Sequence, residues 1–131
     1  MKLGRGSALV VAPAAGYAST SAACPVTPFR MEHGASVLAG SITWYDRSIH
    51  ATGFVKAVSS GKTAVFQGES PNCLSGVETR TASGGETRNF VVDLPCDFPG
   101  GITVVHVELW DTQGTPLHRA ICLRNGCAVR D

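Results

Sequence analysis

The sequence predicts an all-β domain: an antiparallel β-sandwich, Ig-like or jelly-roll-like, of seven or eight strands. Three observations carry this. Apolar and polar residues alternate in short runs, the two-residue period of a half-buried strand. No run shows a helical period. Turn-forming residues separate the runs, with 15 Gly and 7 Pro in 131 residues. Short alternating runs with turns between them are the signature of a sandwich.

The strongest run is 100–111. Pro99-Gly100-Gly101 opens it and Asp111-Thr112-Gln113-Gly114 closes it. Val105, Val107 and Leu109 share one face, while His106, Glu108 and Trp110 share the other. The first face is predicted as core, which makes this a central strand. Before it, residues 37–46 form a strand with Leu38, Gly40, Ile42 and Trp44 on one face. Asp46-Arg47-Ser48 turns the chain into a strand over 49–58, giving a hairpin. Thr63–Gln67 is a short strand, ended by Gly68-Glu69-Ser70-Pro71-Asn72. Leu74–Thr81 is strand-like, and Ser83-Gly84-Gly85-Glu86 is a hairpin turn. Thr87–Leu94 follows, with Phe90, Val92 and Leu94 inward and Asn89 and Asp93 outward. After the central strand, Leu117–Leu123 adds another, and Ala128–Arg130 a short terminal one. Residues 24–36 carry Pro25 and Pro28 and read as a leader loop, leaving 37–131 as a single domain.

The first 23 residues read as a signal peptide. Lys2 and Arg5 supply a positive start, Ala8–Ala15 a short apolar stretch, and Ser21-Ala22-Ala23 the small residues of a cleavage site. Cleavage is expected after Ala23, with Ala18 as second choice. The apolar run is too short to span a bilayer. Ser21-Ala22-Ala23-Cys24 also has a lipoprotein-like form, which makes a lipid anchor on Cys24 the minor alternative to full secretion; it lacks the usual aliphatic residue three places before the Cys.

Composition narrows the classes. Hydrophobic residues are 44% and charged ones 16%, which suits a packed domain and not a disordered chain. The formal net charge is +1; without Lys2 and Arg5 of the first 23 residues, nine basic side chains face ten acidic ones. No basic patch stands out, so nucleic acid is not an expected partner. A monomer without a transmembrane segment or cofactor is expected.

Five cysteines fit an oxidising compartment. No C-x-x-C pair exists, which removes zinc-ribbon and thioredoxin-like readings. Cys122 and Cys127 flank a turn containing Asn125-Gly126, so these thiols are expected close in space and bridged. Cys73 and Cys96 then form the second bridge. Four Cys allow three connectivities, and Cys24 is left over.

The run Gly40-Ser41-Ile42-Thr43-Trp44-Tyr45-Asp46-Arg47-Ser48-Ile49, with Pro99-Gly100-Gly101-Ile102-Thr103-Val104-Val105-His106-Val107, resembles small secreted proteins of actinobacterial type. In those a Thr-Trp-Tyr-Asn-Arg-Ser-Val-like strand pair begins a β-sandwich; Asp46 stands here in place of the Asn. The resemblance covers most of 37–111. It implies export and a disulfide-containing β domain, and it brings no catalytic residues.

The chemistry-bearing residues are few. His106 and Glu108 share a strand face, and His50 and His118 lie on other strands; together they are the candidates for a metal site, against the plainer reading of solvated histidines. For glycoside hydrolysis Glu108 would need Asp93 or Glu78 at a fixed separation; pairing of Glu108 with Arg80 or Arg88 is the expectation instead. No nucleophile, phosphate-loop or calcium-loop motif is present, so no catalytic residue is assigned and no enzyme is expected. Trp44 is expected in the core. Trp110 and Tyr45 are the ligand-binding candidates, able to stack on a sugar or anchor a protein. The functional expectation is an extracellular binding module for a cell-surface, polysaccharide or protein ligand. The alternative is a secreted inhibitor of an extracellular hydrolase, presenting a loop held by a disulfide at 122–127 or Pro95–Pro99. A metalloprotein or hydrolytic enzyme ranks third.

Overall fold

The protein is seen here in a computed structural model that describes residues 24–130. The segment read as a signal peptide lies outside the described residues. Ten strands and no helix are present among those described: β1 (Val26–His33), β2 (Ser36–Trp44), β3 (Ser48–Lys56), β4 (Lys62–Ser70), β5 (Cys73–Leu74), β6 (Glu78–Ala82), β7 (Thr87–Pro95), β8 (Val104–Trp110), β9 (Pro116–Leu123) and β10 (Gly126–Arg130). A four-stranded sheet has the order β1-β2-β3-β7. A six-stranded sheet has the order β10-β9-β8-β4-β5, with β6 also paired to β4. All pairings are antiparallel. The two sheets face each other as a β-sandwich, and β8 is central in the larger one.

The core lies between the sheets and follows the alternation. Val105, Val107 and Leu109 of β8 are buried, as are Phe90, Val92 and Leu94 of β7. Phe66 of β4 reaches from the six-stranded sheet to two rings of the other: Phe29 at 6.1 Å, edge-on, and Phe90 at 5.2 Å. Such pairs add directional attraction to the burial of apolar area. Trp44 is 2% exposed, and its indole N–H donates to Thr27 Oγ1 at 2.9 Å. The Thr27 hydroxyl lies 2.9 Å from the carbonyls of both Leu123 and Arg124. The buried polar groups are therefore satisfied, and β1 is tied to the tip of the β9–β10 hairpin.

The leader loop expected over 24–36 is instead β1 and the turn that follows it. Thr27, Phe29 and Met31 point inward, and Val26, Pro28, Arg30 and Glu32 outward. Pro28 is tolerated because β1 is an edge strand, where an amide need not donate. β4 also runs on through Gly68, where a break was expected. A side chain at Gly68 would stand 2.6 Å from the buried Ile102, so glycine here makes room for a core residue. The strand expected over Leu74–Thr81 is divided into β5 and β6. Ser75 leaves the ladder between them: its backbone N–H donates to Gly68 O, and its hydroxyl accepts from Gly68 N, each at 2.8 Å. The central strand begins at Val104 and not at Gly100, because Gly100 and Gly101, both at positive φ, form a turn first.

Two disulfides join Cys73 to Cys96 and Cys122 to Cys127. The first links β5 of one sheet to the residue after β7 of the other. The second joins directly opposed residues of the β9–β10 hairpin. Cys24 is exposed and unbridged.

On one flank the sheets meet where β6 runs beside β7. There Arg80 donates to Val91 O at 2.8 Å, and Arg88 donates to Thr81 O at 3.0 Å. On the other flank β1 runs beside β9 and β10.

Candidate functional site

The outward face of the six-stranded sheet is built by register. Glu108 of β8 sits opposite Val65 of β4 on one side and Arg119 of β9 on the other. His106 sits between Gln67 and Ile121, and Trp110 between Thr63 and Pro116. Because side chains alternate, these rows share one face. Val77, from the segment between β5 and β6, stands beside them. Together Val65, Gln67, Val77, His106, Glu108, Trp110 and Arg119 line a hollow of about 440 Å³.

The polar groups of the hollow hold one another in place. Glu108 accepts the Trp110 indole N–H on Oε1 at 2.7 Å, and its Oε2 faces Arg119 Nε at 3.4 Å. The indole is thereby fixed by its polar edge while the ring remains half-buried. His106 Nε2 lies 2.5 Å from Glu69 Oε1. The Gln67 amide donates to Ser75 O at 3.1 Å, which anchors the wall carrying Val77. The arrangement offers an aromatic surface beside a carboxylate, an imidazole, an amide and a guanidinium. It can stack on an apolar ring face and exchange hydrogen bonds with hydroxyl groups.

The residues singled out in the sequence are only partly gathered here. Trp110, His106 and Glu108 line the hollow. Tyr45 does not: it follows β2 at the β2–β3 turn, its N–H bonded to Ser48 O at 2.9 Å, while Trp110 pairs with Thr63 at the start of β4, just past the far end of β3. The two aromatics thus sit on different sheets and at opposite ends, and no single flat face contains both. His50 is on the outer face of the four-stranded sheet, 2.7 Å from Asp93 Oδ1. His118 is at the flank, its Nε2 3.2 Å from Nδ1 of His33. The metal candidates His50, His106, His118 and Glu108 do not come together: His50 is on the other sheet, and His118, opposite the buried Leu109, is on the face of its sheet away from His106 and Glu108. Among the described residues no three of His, Cys, Asp and Glu are grouped to hold a metal ion.

Glu108 pairs with Arg119, not with Arg80 or Arg88; Arg80 instead meets Glu78 at 3.1 Å. Asp93 lies on the outside of the opposite sheet, which rules out a working pair with Glu108. The sequence reading missed Val65, Gln67, Val77 and Arg119. Only Gln67 and Arg119 left a signal there, as polar residues in strand-like runs. Placing them needed the β4–β8–β9 register.

The expected inhibitory loops lie at the Tyr45 end. The tip of the β9–β10 hairpin is held by Thr27, and Arg124 packs over Trp44, 5.8 Å from its ring centroid. Arg47 pairs with Asp97 at 2.9 Å across the segment after β7. Tyr45, Phe98 and Leu123 are exposed there. No helix among the described residues is long and apolar enough to cross a membrane. No family model, no curated protein and no solved structure matches this chain.

Proposed function

We propose that this chain is an exported binding module, and that its ligand is an extracellular polysaccharide held in the hollow of the six-stranded sheet. The observation that carries the reading is the half-buried Trp110, pinned by Glu108 among polar groups in a concave site. Sugars present apolar C–H faces and rings of hydroxyls, and an indole beside hydrogen-bonding side chains complements both. Two disulfides are compatible with an oxidising compartment and support export. Binding without turnover is favoured because the carboxylates are already engaged, Glu108 by Trp110 and Arg119 and Glu69 by His106. Electrophoresis through gels containing soluble polysaccharides, with wild type and Trp110→Ala side by side, tests the reading. Retardation by at least one polysaccharide, lost in the variant, is expected. Equal migration in every gel would remove the carbohydrate ligand.

A second reading is an inhibitor of a secreted hydrolase. It is favoured by the exposed Tyr45, Phe98 and Leu123 at an end braced by both disulfides. Titration against a panel of secreted proteases, with no loss of their activity, would exclude that class of target. Peptide mass mapping of the protein from culture medium tests export itself, with an N-terminus at Cys24 as the expected product.

A further inference from the structure

At the flank where β1 meets β9, two histidines 85 residues apart in sequence face each other. Nδ1 of His33 lies 3.2 Å from Nε2 of His118, with ring centroids 5.3 Å apart and planes inclined by 59°. His33 closes a two-residue hairpin against Ser36, with Gly34 at φ +60 in the turn. His118 follows a β-bulge: Leu109 pairs with His118 but Trp110 pairs with Pro116, so Leu117 is an extra residue on β9. A bulge redirects neighbouring side chains, and here it sits beside the ring that meets His33.

The spacing has a chemical meaning beyond one hydrogen bond. Two imidazole nitrogens bound to one tetrahedral zinc ion, each about 2.0–2.1 Å from the metal, stand about 3.3 Å apart. We propose that His33 and His118 form a two-imidazole site for Zn²⁺, coordinated through His33 Nδ1 and His118 Nε2. The ion replaces the proton that the two nitrogens share, and that proton moves to an outer ring nitrogen or to solvent. Water fills the two remaining positions. The bound ion clasps one sheet to the other at this flank.

The surrounding charges set the strength. Arg130 lines a small hollow of about 170 Å³ with His118 and disfavours a cation. Arg119 lines it too, with Glu108 beside its guanidinium, and Glu32 is engaged with Arg30 at 2.8 Å. Binding is expected to fall as the solution is acidified, because the ligand nitrogens must be unprotonated.

The test is a Zn²⁺ titration of the folded chain, carrying Cys24→Ser so that the exposed thiol takes no part. Calorimetry should give one ion per chain, and NMR of the imidazole nitrogens should show His33 Nδ1 and His118 Nε2 shifting together. His33→Gln and His118→Gln should each weaken binding at least tenfold, while His50→Gln and His106→Gln leave it unchanged. Circular dichroism checks that each variant is folded. Absence of binding at millimolar Zn²⁺, or a folded His33→Gln or His118→Gln chain that binds as well as the parent, would overturn the site.

Discussion

On the four-stranded sheet, outward side chains settle with one another. Arg30 meets Glu32 along β1, and His50 meets Asp93 across β3 and β7. On the six-stranded sheet the outward residues also pair, yet they enclose a hollow. The difference lies in what borders each face. The edge of β4 carries β5 and β6 with Ser75–Val77 displaced between them, and that segment stands up as a wall. The same alternation of polar and apolar residues therefore gives a closed surface on one sheet and a concave one on the other. A displaced segment at the edge, and not the composition of the face, makes the candidate site.

The inner layer common to both sheets gives the largest expected effect. Phe66→Ala should cost about 4 kcal/mol, as for other buried aromatic truncations. Denaturation followed by far-ultraviolet dichroism and by Trp fluorescence should still give one coincident transition. Separate transitions would mean that the sheets unfold independently and that their outer faces belong to different folding units. The disulfides come next. Loop-closure entropy assigns about 3 kcal/mol to Cys73–Cys96 and about 2 kcal/mol to Cys122–Cys127, from sequence separations of 23 and 5. Paired Cys→Ala variants compared by urea titration should keep that order. A reversal would show that holding the hairpin matters more than joining the sheets.

Ser75→Ala sharpens the comparison directly. It leaves the buried Gly68 N–H without its side-chain acceptor and should cost about 2 kcal/mol. If the wall makes the site, this variant loses polysaccharide retardation although no residue facing the ligand has changed. Retained binding would show that the wall is dispensable. The smallest stability effects belong to the outer faces. Trp110→Ala should cost about 1 kcal/mol, and Asp93→Ala under ~1 kcal/mol because its pair with His50 is solvent-exposed. Of these two, Trp110→Ala alone should change ligand binding. A similar loss on Asp93→Ala would move the site to the other sheet.

Strands with clean alternation were legible in the sequence. Phe90, Val92 and Leu94, and Val105, Val107 and Leu109, are inward as their spacing requires. β1 was not legible, because Pro25 before it and Pro28 within it outweighed the inward series Thr27, Phe29 and Met31. Gly68 looked like an interruption, because its purpose depends on Ile102, which lies in a different part of the chain. The site was half legible for a related reason. Trp110, His106 and Glu108 come from one strand and are visible together, whereas Gln67 and Arg119 join them only through pairing. His33 and His118 meet across two sheets, and nothing local in either segment announces it.

Arg80 and Arg88, on the flank where β6 passes β7, each give a guanidinium N–H to a carbonyl of the other's strand. Strand margins with vacant carbonyls invite another chain to add on and continue the ladder. Here the acceptors at Val91 and Thr81 are taken by bulky charged side chains. A second molecule arriving at this flank meets neither a clean ladder nor a neutral surface. That flank therefore resists the ladder extension by which fibrils grow, and Arg80→Ala with Arg88→Ala should expose it to them.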